Sequence, residues 1–301
     1  MNIWRGALAA LLVMNSLSAS PASPASPAAS ALDLNALWNF SQPAESEQRF
    51  RAALASAQGD DILILKTQIA RTYGLRRDFD RARAELADIE AAVATAGPEA
   101  RVRYALELGR TWSSATHDEA SQTDDARQRA RSAYEQALAA AREAELDALA
   151  IDAVHMLAFV DSAPADQLKW AQVALALALN SVQPAAQRWE ASIRNNLGYA
   201  LHQLGRFEPA LAEFEQAMAL RQKSGDASRT RQARWMVAWT LRSLDRSDEA
   251  LTMQLALEVE NDAAGTPDVY VFEELAALYQ QKNETALAEH YAQRAVAVKA
   301  K

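Results

Sequence analysis

A small residue that follows an apolar one recurs along the chain as Ile69-Ala70, Leu108-Gly109, Leu157-Ala158, Leu197-Gly198, Val237-Ala238 and Leu275-Ala276. The second members lie 39, 49, 40, 40 and 38 residues apart. A period of this size marks a stacked repeat, in which each unit buries its apolar face against its neighbours. Twelve residues after five of these positions stands a second marker: Ala82, Trp170, Ala210, Ala250 and Ala288. In the second unit the counterpart, Ala130, follows Gly109 by 21 residues, nine too many, and the excess accounts for the one long interval. It falls in SSATHDEASQTDD, an acidic polar stretch that reads as a lengthened, exposed turn and not as a site.

Between the markers, apolar residues recur at spacings of three and four, as in Leu211, Phe214 and Met218 or Leu275, Leu278 and Tyr279. This is the period of a helix with one buried face, and no alternating run suggests a strand. Pro43, Pro98, Pro164, Pro184, Pro209 and Pro267 each stand at the edge of such a segment, where a helix tolerates proline. Half the residues are hydrophobic, many of them alanine, and only 7% are aromatic, which favours closely packed helices over sheets. The expected fold is therefore all-α: an α-solenoid of about six antiparallel helical hairpins over residues 60–301. Residues 31–59 contribute an N-terminal segment and a capping helix from Pro43, with Ser41 available as its N-cap.

On this reading the small residues set the distance between helices. Gly198 on a first helix lets Ala210 and its neighbours on the second approach, and Ala217 admits the first helix of the next unit. Leu197, Leu201, Phe207, Phe214 and Leu220 fill the remaining space. Gly205 ends the first helix in a left-handed turn, and Glu208-Pro209 opens the second.

At these residues, 185–226, the chain resembles a tetratricopeptide repeat, with the Leu197-Gly198 pair, the Leu204-Gly205-Arg206-Phe207 turn, and Ala210, Phe214 and Ala217 in the family's order. The period near forty is similar to the long-helix variety of kinesin light chains and bacterial regulatory repeats. The resemblance extends over 60–97 and 227–301 and weakens over 98–184, where Trp170 replaces a small residue. It implies a superhelix whose concave face binds a peptide or helical segment of another protein.

The residues themselves offer no catalytic set. G-x-S-x-G, H-E-x-x-H, phosphate-loop and dinucleotide patterns are missing from the sequence. His117, His155, His202 and His290 fall in different units with no i,i+4 partner, so no metal site is expected. The pairs Asp60-Asp61, Asp124-Asp125 and Glu273-Glu274 read as solvated helix ends. The lack of cysteine excludes disulfides, thiolate metal sites and a thiol nucleophile. A net charge of −8 argues against nucleic acid as a partner. The chain reads as a binder without catalytic residues, cofactor or metal.

The candidate lining of the groove consists of the residues beside each marker on its solvent side: Arg71, Arg110, His155, Phe159, Asn195, Tyr199, His202, Trp235, Trp239 and Arg242, joined by Asn196. Asn195 and Asn196 offer both donor and acceptor to a peptide backbone. Tyr199, Trp235 and Trp239 are of the anchoring type. Arg71, Arg110 and Arg242 suit partner carboxylates. Each also has an ordinary reading. Trp235 and Trp239, four apart on a helix, equally suit packing, a lone arginine suits a solvated face, and His155 suits a satisfied position between helices. Trp170 and Trp189 read as core.

The N-terminus, MNIWRGALAALLVMNSL, places Arg5 before an apolar run too short to span a bilayer, and small residues follow up to Ala28 and Ser30. Residues 1–30 thus read as a signal peptide and an Ala/Ser/Pro spacer, which places the mature protein in a bacterial periplasm or outside the cell. A true start further in would leave it in the cytoplasm. The expected partner is a protein or peptide, with neither nucleic acid nor a transmembrane span involved. The alternatives are an assembly subunit that self-associates through its convex face or its end helix, YAQRAVAVKAK, and a repeat protein that regulates an enzyme.

Overall fold

A computed structural model describes residues 32–300, so the signal-like segment and spacer lie outside the described residues. Every regular element among the described residues is a helix. A single turn, α1 (Leu34–Leu37), precedes α2 (Pro43–Leu54). Helices then follow in pairs: α3 (Asp60–Leu75) with α4 (Phe79–Ala87), continued by the short α5 (Glu90–Val93), then α6 (Pro98–Trp112) with α7 (Asp124–Glu143), and α8 (Asp147–Val160) with α9 (Pro164–Asn180). After the short α10 (Pro184–Gln187) come α11 (Glu190–Gln203) with α12 (Phe207–Ser224), α13 (Ala227–Ser243) with α14 (Ser247–Ala263), and α15 (Val269–Gln281) with α16 (Thr285–Lys299). The fold is of the helical-repeat, α-solenoid class. The described residues form two compact units, one running up to Ser162 together with Ala176–Gln187, the other of Ala163–Leu175 together with the residues from Arg188 onward.

One turn geometry recurs within the pairs. Arg77, Gly205, Asp245 and Asn283 adopt φ of +64°, +72°, +59° and +59°. The next residue's N–H then reaches back to a carbonyl five positions earlier, Asp78 to Tyr73 and Arg206 to Leu201 at 2.9 Å, Arg246 to Leu241 at 3.0 Å and Glu284 to Tyr279 at 2.9 Å. This closes the end of the helix in a left-handed cap and satisfies a carbonyl that would otherwise lack a partner. Gly205 takes the left-handed conformation expected of it, and α12 opens at Phe207 with Pro209 in its first turn.

The packing sharpens the role expected of Gly198. Of the residues on the second helix, it is the ring of Phe214, one turn beyond Ala210, that its missing side chain admits most closely: a Cβ there would stand 2.8 Å from the ring. Gly109 does the same for Tyr134, whose ring would lie 2.4 Å from a Cβ. Both rings are fully buried, four residues after the second marker, and the Tyr134 hydroxyl donates to the Ser113 carbonyl at 2.7 Å. In the fifth pair that position is the fully buried Gln254, and Ala238 stands at the position of the glycine. Large side chains fill the core elsewhere: Phe50, Leu65, Ile69 and Leu86 cluster in the first unit, and Leu201, Leu211, Met236, Leu257, Phe272 and Leu275 are buried in the second.

Two expectations change in the first unit. The cap is not a lone helix, because residues 32–38 fold back and Leu34, Leu37 and Trp38 pack on the cluster of Phe50, Leu65 and Ile69. Gln42, not Ser41, holds the cap position of α2, while the Ser41 hydroxyl bonds the Asn39 side chain at 2.7 Å. Ser46 ties the corner instead, accepting from the Asn39 N–H at 2.6 Å and donating to its carbonyl at 3.0 Å. The nine-residue insertion between α6 and α7 is anchored where an exposed turn was expected. His117 stacks on Phe79 at 3.7 Å, accepts from the Ser114 N–H at Nδ1 (3.2 Å) and places Nε2 3.2 Å from the Thr111 carbonyl. Thr116 donates to the Gly74 carbonyl at 3.2 Å, which pins the loop to the turn between α3 and α4. Trp170 and Trp189, expected in the core, are only half-buried.

Candidate functional site

The first helices of the pairs carry the residues singled out from the sequence, and each unit arranges its own set differently. In the first unit, Arg71 on α3 pairs with Glu107 on α6 at 3.1 Å. Arg110 pairs with the same carboxylate at 2.5 Å and with Asp152 on α8 at 2.5 Å. The result is a ladder of alternating charge across three first helices. Burial alone would raise the Asp152 pKa, but Arg110 and then Arg71 hold it below the ordinary carboxylate value. The guanidinium of Arg71 also faces Trp38 and Phe40, 5.9 and 5.7 Å from their ring centres. Arg71 and Arg110 therefore neutralise their own chain's carboxylates. His155 and Phe159, on α8 in the same unit, are half-buried.

The second unit gathers most of the remaining candidates. Trp239 on α13 stacks on His202 of α11 at 3.4 Å and lies 6.1 Å from Tyr199. Trp235, one turn earlier, is 5.7 Å from Trp239 and meets Tyr270 of α15 edge-on at 6.1 Å. Both tryptophans are buried, at 8% and 6% exposure, so they form the floor of the face while the half-buried Tyr199 and Tyr270 form its rims. Their spacing follows from the helix: residues three, four and seven apart share one side.

Polar groups lock this floor. His202 Nε2 lies 3.0 Å from the Ser243 hydroxyl, which gives its proton to the Trp239 carbonyl at 3.2 Å. That arrangement assigns the neutral ring the Nε2–H tautomer. Burial, and then the charge of Arg242, push the His202 pKa down to about 4. Arg242 itself grips the buried Glu274 of α15 through two bonds of 2.7 and 2.8 Å. Asn195 and Asn196 are half-buried on α11, beside Tyr199.

The structure thus places Asn195, Asn196, Tyr199, His202, Trp235, Trp239 and Arg242 together in the second unit, and Arg71, Arg110, His155 and Phe159 in the first. Sequence reading missed Glu107, Asp152 and Tyr270, and also Trp38, whose indole donates to Gln68 at 3.1 Å; Glu274, read with Glu273 as a solvated helix end, is instead buried against Arg242. A signal for several of them existed. The position two before each small marker reads Gln68, Glu107, Met156, Asn196, Met236 and Glu274. Gln68 accepts from Trp38 in the N-terminal cap, and Glu107 and Glu274 accept from Arg71 and Arg242 on the first helix of the preceding pair. No cluster of His, Asp and Glu suited to a metal ion occurs among the described residues, and no helix there is long and apolar enough to cross a membrane.

Comparison with known proteins agrees with this architecture. Residues 189–257 match the family model described as tetratricopeptide repeat. No curated protein matches the chain in sequence. Among solved structures, the chain is similar to the apo form of RapI, with TM-score 0.67 and 13% identity over 87% of this chain and 74% of that one. It is also similar to aspartyl phosphate phosphatase F from Bacillus subtilis, with TM-score 0.54 and 14% identity over 84% and 75% of the two chains. The TPR-like repeats of a putative kinesin light chain from Podosopora anserina match with TM-score 0.52 and 18% identity, over 67% of this chain and 96% of that one. At these identities the likeness concerns the fold. Residues 189–257 thus match tetratricopeptide repeats, and they stand within a longer run of helix pairs.

Proposed function

We propose that the protein is a non-enzymatic interaction module whose second unit holds an extended segment of a partner protein against the first-helix face of α11, α13 and α15. The observation that carries this is the aromatic floor of Trp235 and Trp239, rimmed by Tyr199, Tyr270 and Asn195. Large rigid rings beside side-chain amides supply contact area and backbone hydrogen bonds at little conformational cost. A binding role also accords with the charges. Glu107, Asp152 and Glu274, the buried carboxylates of the first helices, are each tied to an arginine, which suits structure better than acid–base chemistry. The signal-like residues 1–30 support a place of action in the periplasm or outside the cell; sequencing the mature N-terminus tests this.

The test of binding is selection of peptides from a displayed random library against the full chain, followed by Asn195→Ala and Tyr199→Ala. Each replacement should weaken the selected peptides by roughly five- to thirtyfold, as expected where a contacting ring or a side-chain amide that bonds the peptide backbone is removed. A folded protein that selects nothing, or selects peptides indifferent to both changes, would end this reading. A second reading, self-assembly through the end helix, is favoured by Val296 on α16, which is 66% exposed. Removing residues 292–301 should then change the oligomeric mass, and an unaltered mass would count against it.

A further inference from the structure

α14, the partner of α13 in the fifth pair, buries four of its residues, Ala250, Gln254, Leu257 and Asn261, which lie on one side at spacings of three and four. Two of the four are amides. Gln254 is fully buried, and neither its Oε1 nor its Nε2 meets a hydrogen-bonding partner. The Asn261 side chain, also buried, makes no hydrogen bond within the described residues either. Leu251, Met253 and Leu255 are only half-buried, so Leu257 is the one large apolar side chain that α14 buries fully. In α12 the residue equivalent to Gln254 is Phe214, whose ring lies against Gly198. Burying an amide without a partner opposes the seating of a helix, whereas burying a ring favours it.

Charge supplies what the buried side lacks. α14 carries five carboxylates and no lysine or arginine, and Glu260 and Asp262 stand in its last turn, where the helix dipole disfavours negative charge. Cations from neighbouring elements neutralise them. Arg294 of α16 binds both Glu258 and, at 2.9 Å, Asp262. Arg234 of α13 binds Glu260 at 2.6 Å, and Lys282, just after α15, binds Asp248 at 2.7 Å. The side chains of Arg294, Arg234 and Lys282 are 30%, 20% and 32% exposed, so water and dissolved ions reach these pairs and added salt weakens them.

We infer that α14 is a salt-sensitive latch: charge pairs along its edges seat it more than apolar burial does, and rising ionic strength releases it before the rest of the second unit unfolds. Because α14 joins α13 to α15 and packs on both, its release slackens the hold between the helices that carry Trp235 and Tyr270, whatever the face binds.

Amide hydrogen exchange of the full chain, followed segment by segment at about 0.05 and about 0.5 M sodium chloride, tests this. Residues 252–263 of α14 should exchange roughly fivefold or more faster at the higher salt, while residues 211–222 of α12 should change by less than about twofold. Arg294→Gln should speed exchange of α14 at low salt and shrink its response to salt, since that guanidinium serves two carboxylates. Gln254→Met should slow exchange of α14 by roughly fivefold or more at both salt concentrations, because it fills similar space without an unbonded amide. An α14 as protected and as indifferent to salt as α12 in the parent protein would overturn the inference before any variant is made. So would a parent in which both helices respond to salt alike, or a folded Gln254→Met variant whose α14 exchanges no more slowly than the parent's.

Discussion

Two glycines show how a single missing methyl group sets a helix crossing. Phe214 and Tyr134 lie against the backbones of Gly198 and Gly109, with no space for a Cβ at either. Gly198→Ala and Gly109→Ala should each destabilise the protein by about 1–3 kcal/mol through overpacking, Gly109→Ala the more, since its ring stands closer. Urea unfolding of the two variants measures this, and an unchanged midpoint would contradict the packing. His202 gives a pH dependence of known sign. Its pKa is about 4 when folded, against 6.5 as the ordinary value, so below pH 6.5 the unfolded chain takes up a proton that the folded ring refuses. Its contribution is fully present above pH 6.5 and declines toward pH 4, with a slope of at most about 1.4 kcal/mol per pH unit. Unfolding of His202→Gln should lack that decline. The sequence indicated the spacing of Gly198 and Phe214, but not that one lies on the other. The period locates a residue on a helix face, whereas the partner across the crossing depends on tertiary packing.

The elements were legible because each is announced locally. Prolines at first turns, small residues at fixed offsets and the period of three and four placed the paired helices and the start of α2 at Pro43. The left-handed caps were legible only at Gly205, because Arg77, Asp245 and Asn283 adopt the same conformation without being glycine. Glu145, between α7 and α8, does so as well, at φ +53°. Glu145→Gly should therefore raise stability by about 0.5–1 kcal/mol, and Gly205→Ala should lower it by about 1 kcal/mol. Thermal unfolding of the pair checks both signs together. The insertion was the element least legible, since a polar, acidic composition says nothing of one histidine seated on a phenylalanine 38 positions earlier. His117→Ala should speed amide exchange across residues 113–123 at least about tenfold while the global unfolding midpoint moves little, as for a locally held segment. Exchange no faster than in the parent would show the loop to be held by its other bonds.

For the whole molecule, the helical-repeat architecture was readable from periodicity, and the resemblance of 185–226 to a tetratricopeptide repeat agrees with the match over 189–257, whereas the engagement of the arginines was not readable. The solvent side of a marker had suggested free guanidinium groups, and their counter-ions lie on other helices, some thirty to forty positions away: Glu107 for Arg71, Asp152 for Arg110 and Glu274 for Arg242. The N-terminal cap belongs to this scale too, since stacked repeats need their ends covered. Deleting residues 1–42 would uncover the faces under Leu34, Leu37 and Trp38 and should cost the first unit on the order of 3–5 kcal/mol, estimated from the apolar area exposed. Calorimetry of the truncated chain would show it as an earlier melting transition, and an unshifted transition would make the cap dispensable. The ladder from Arg71 through Glu107 and Arg110 to Asp152 has a mechanical consequence. It rivets α3, α6 and α8, so a chain drawn out from its N-terminal end should surrender these three helices in one large extension step instead of three small ones, and replacing Glu107 with Gln should split that step.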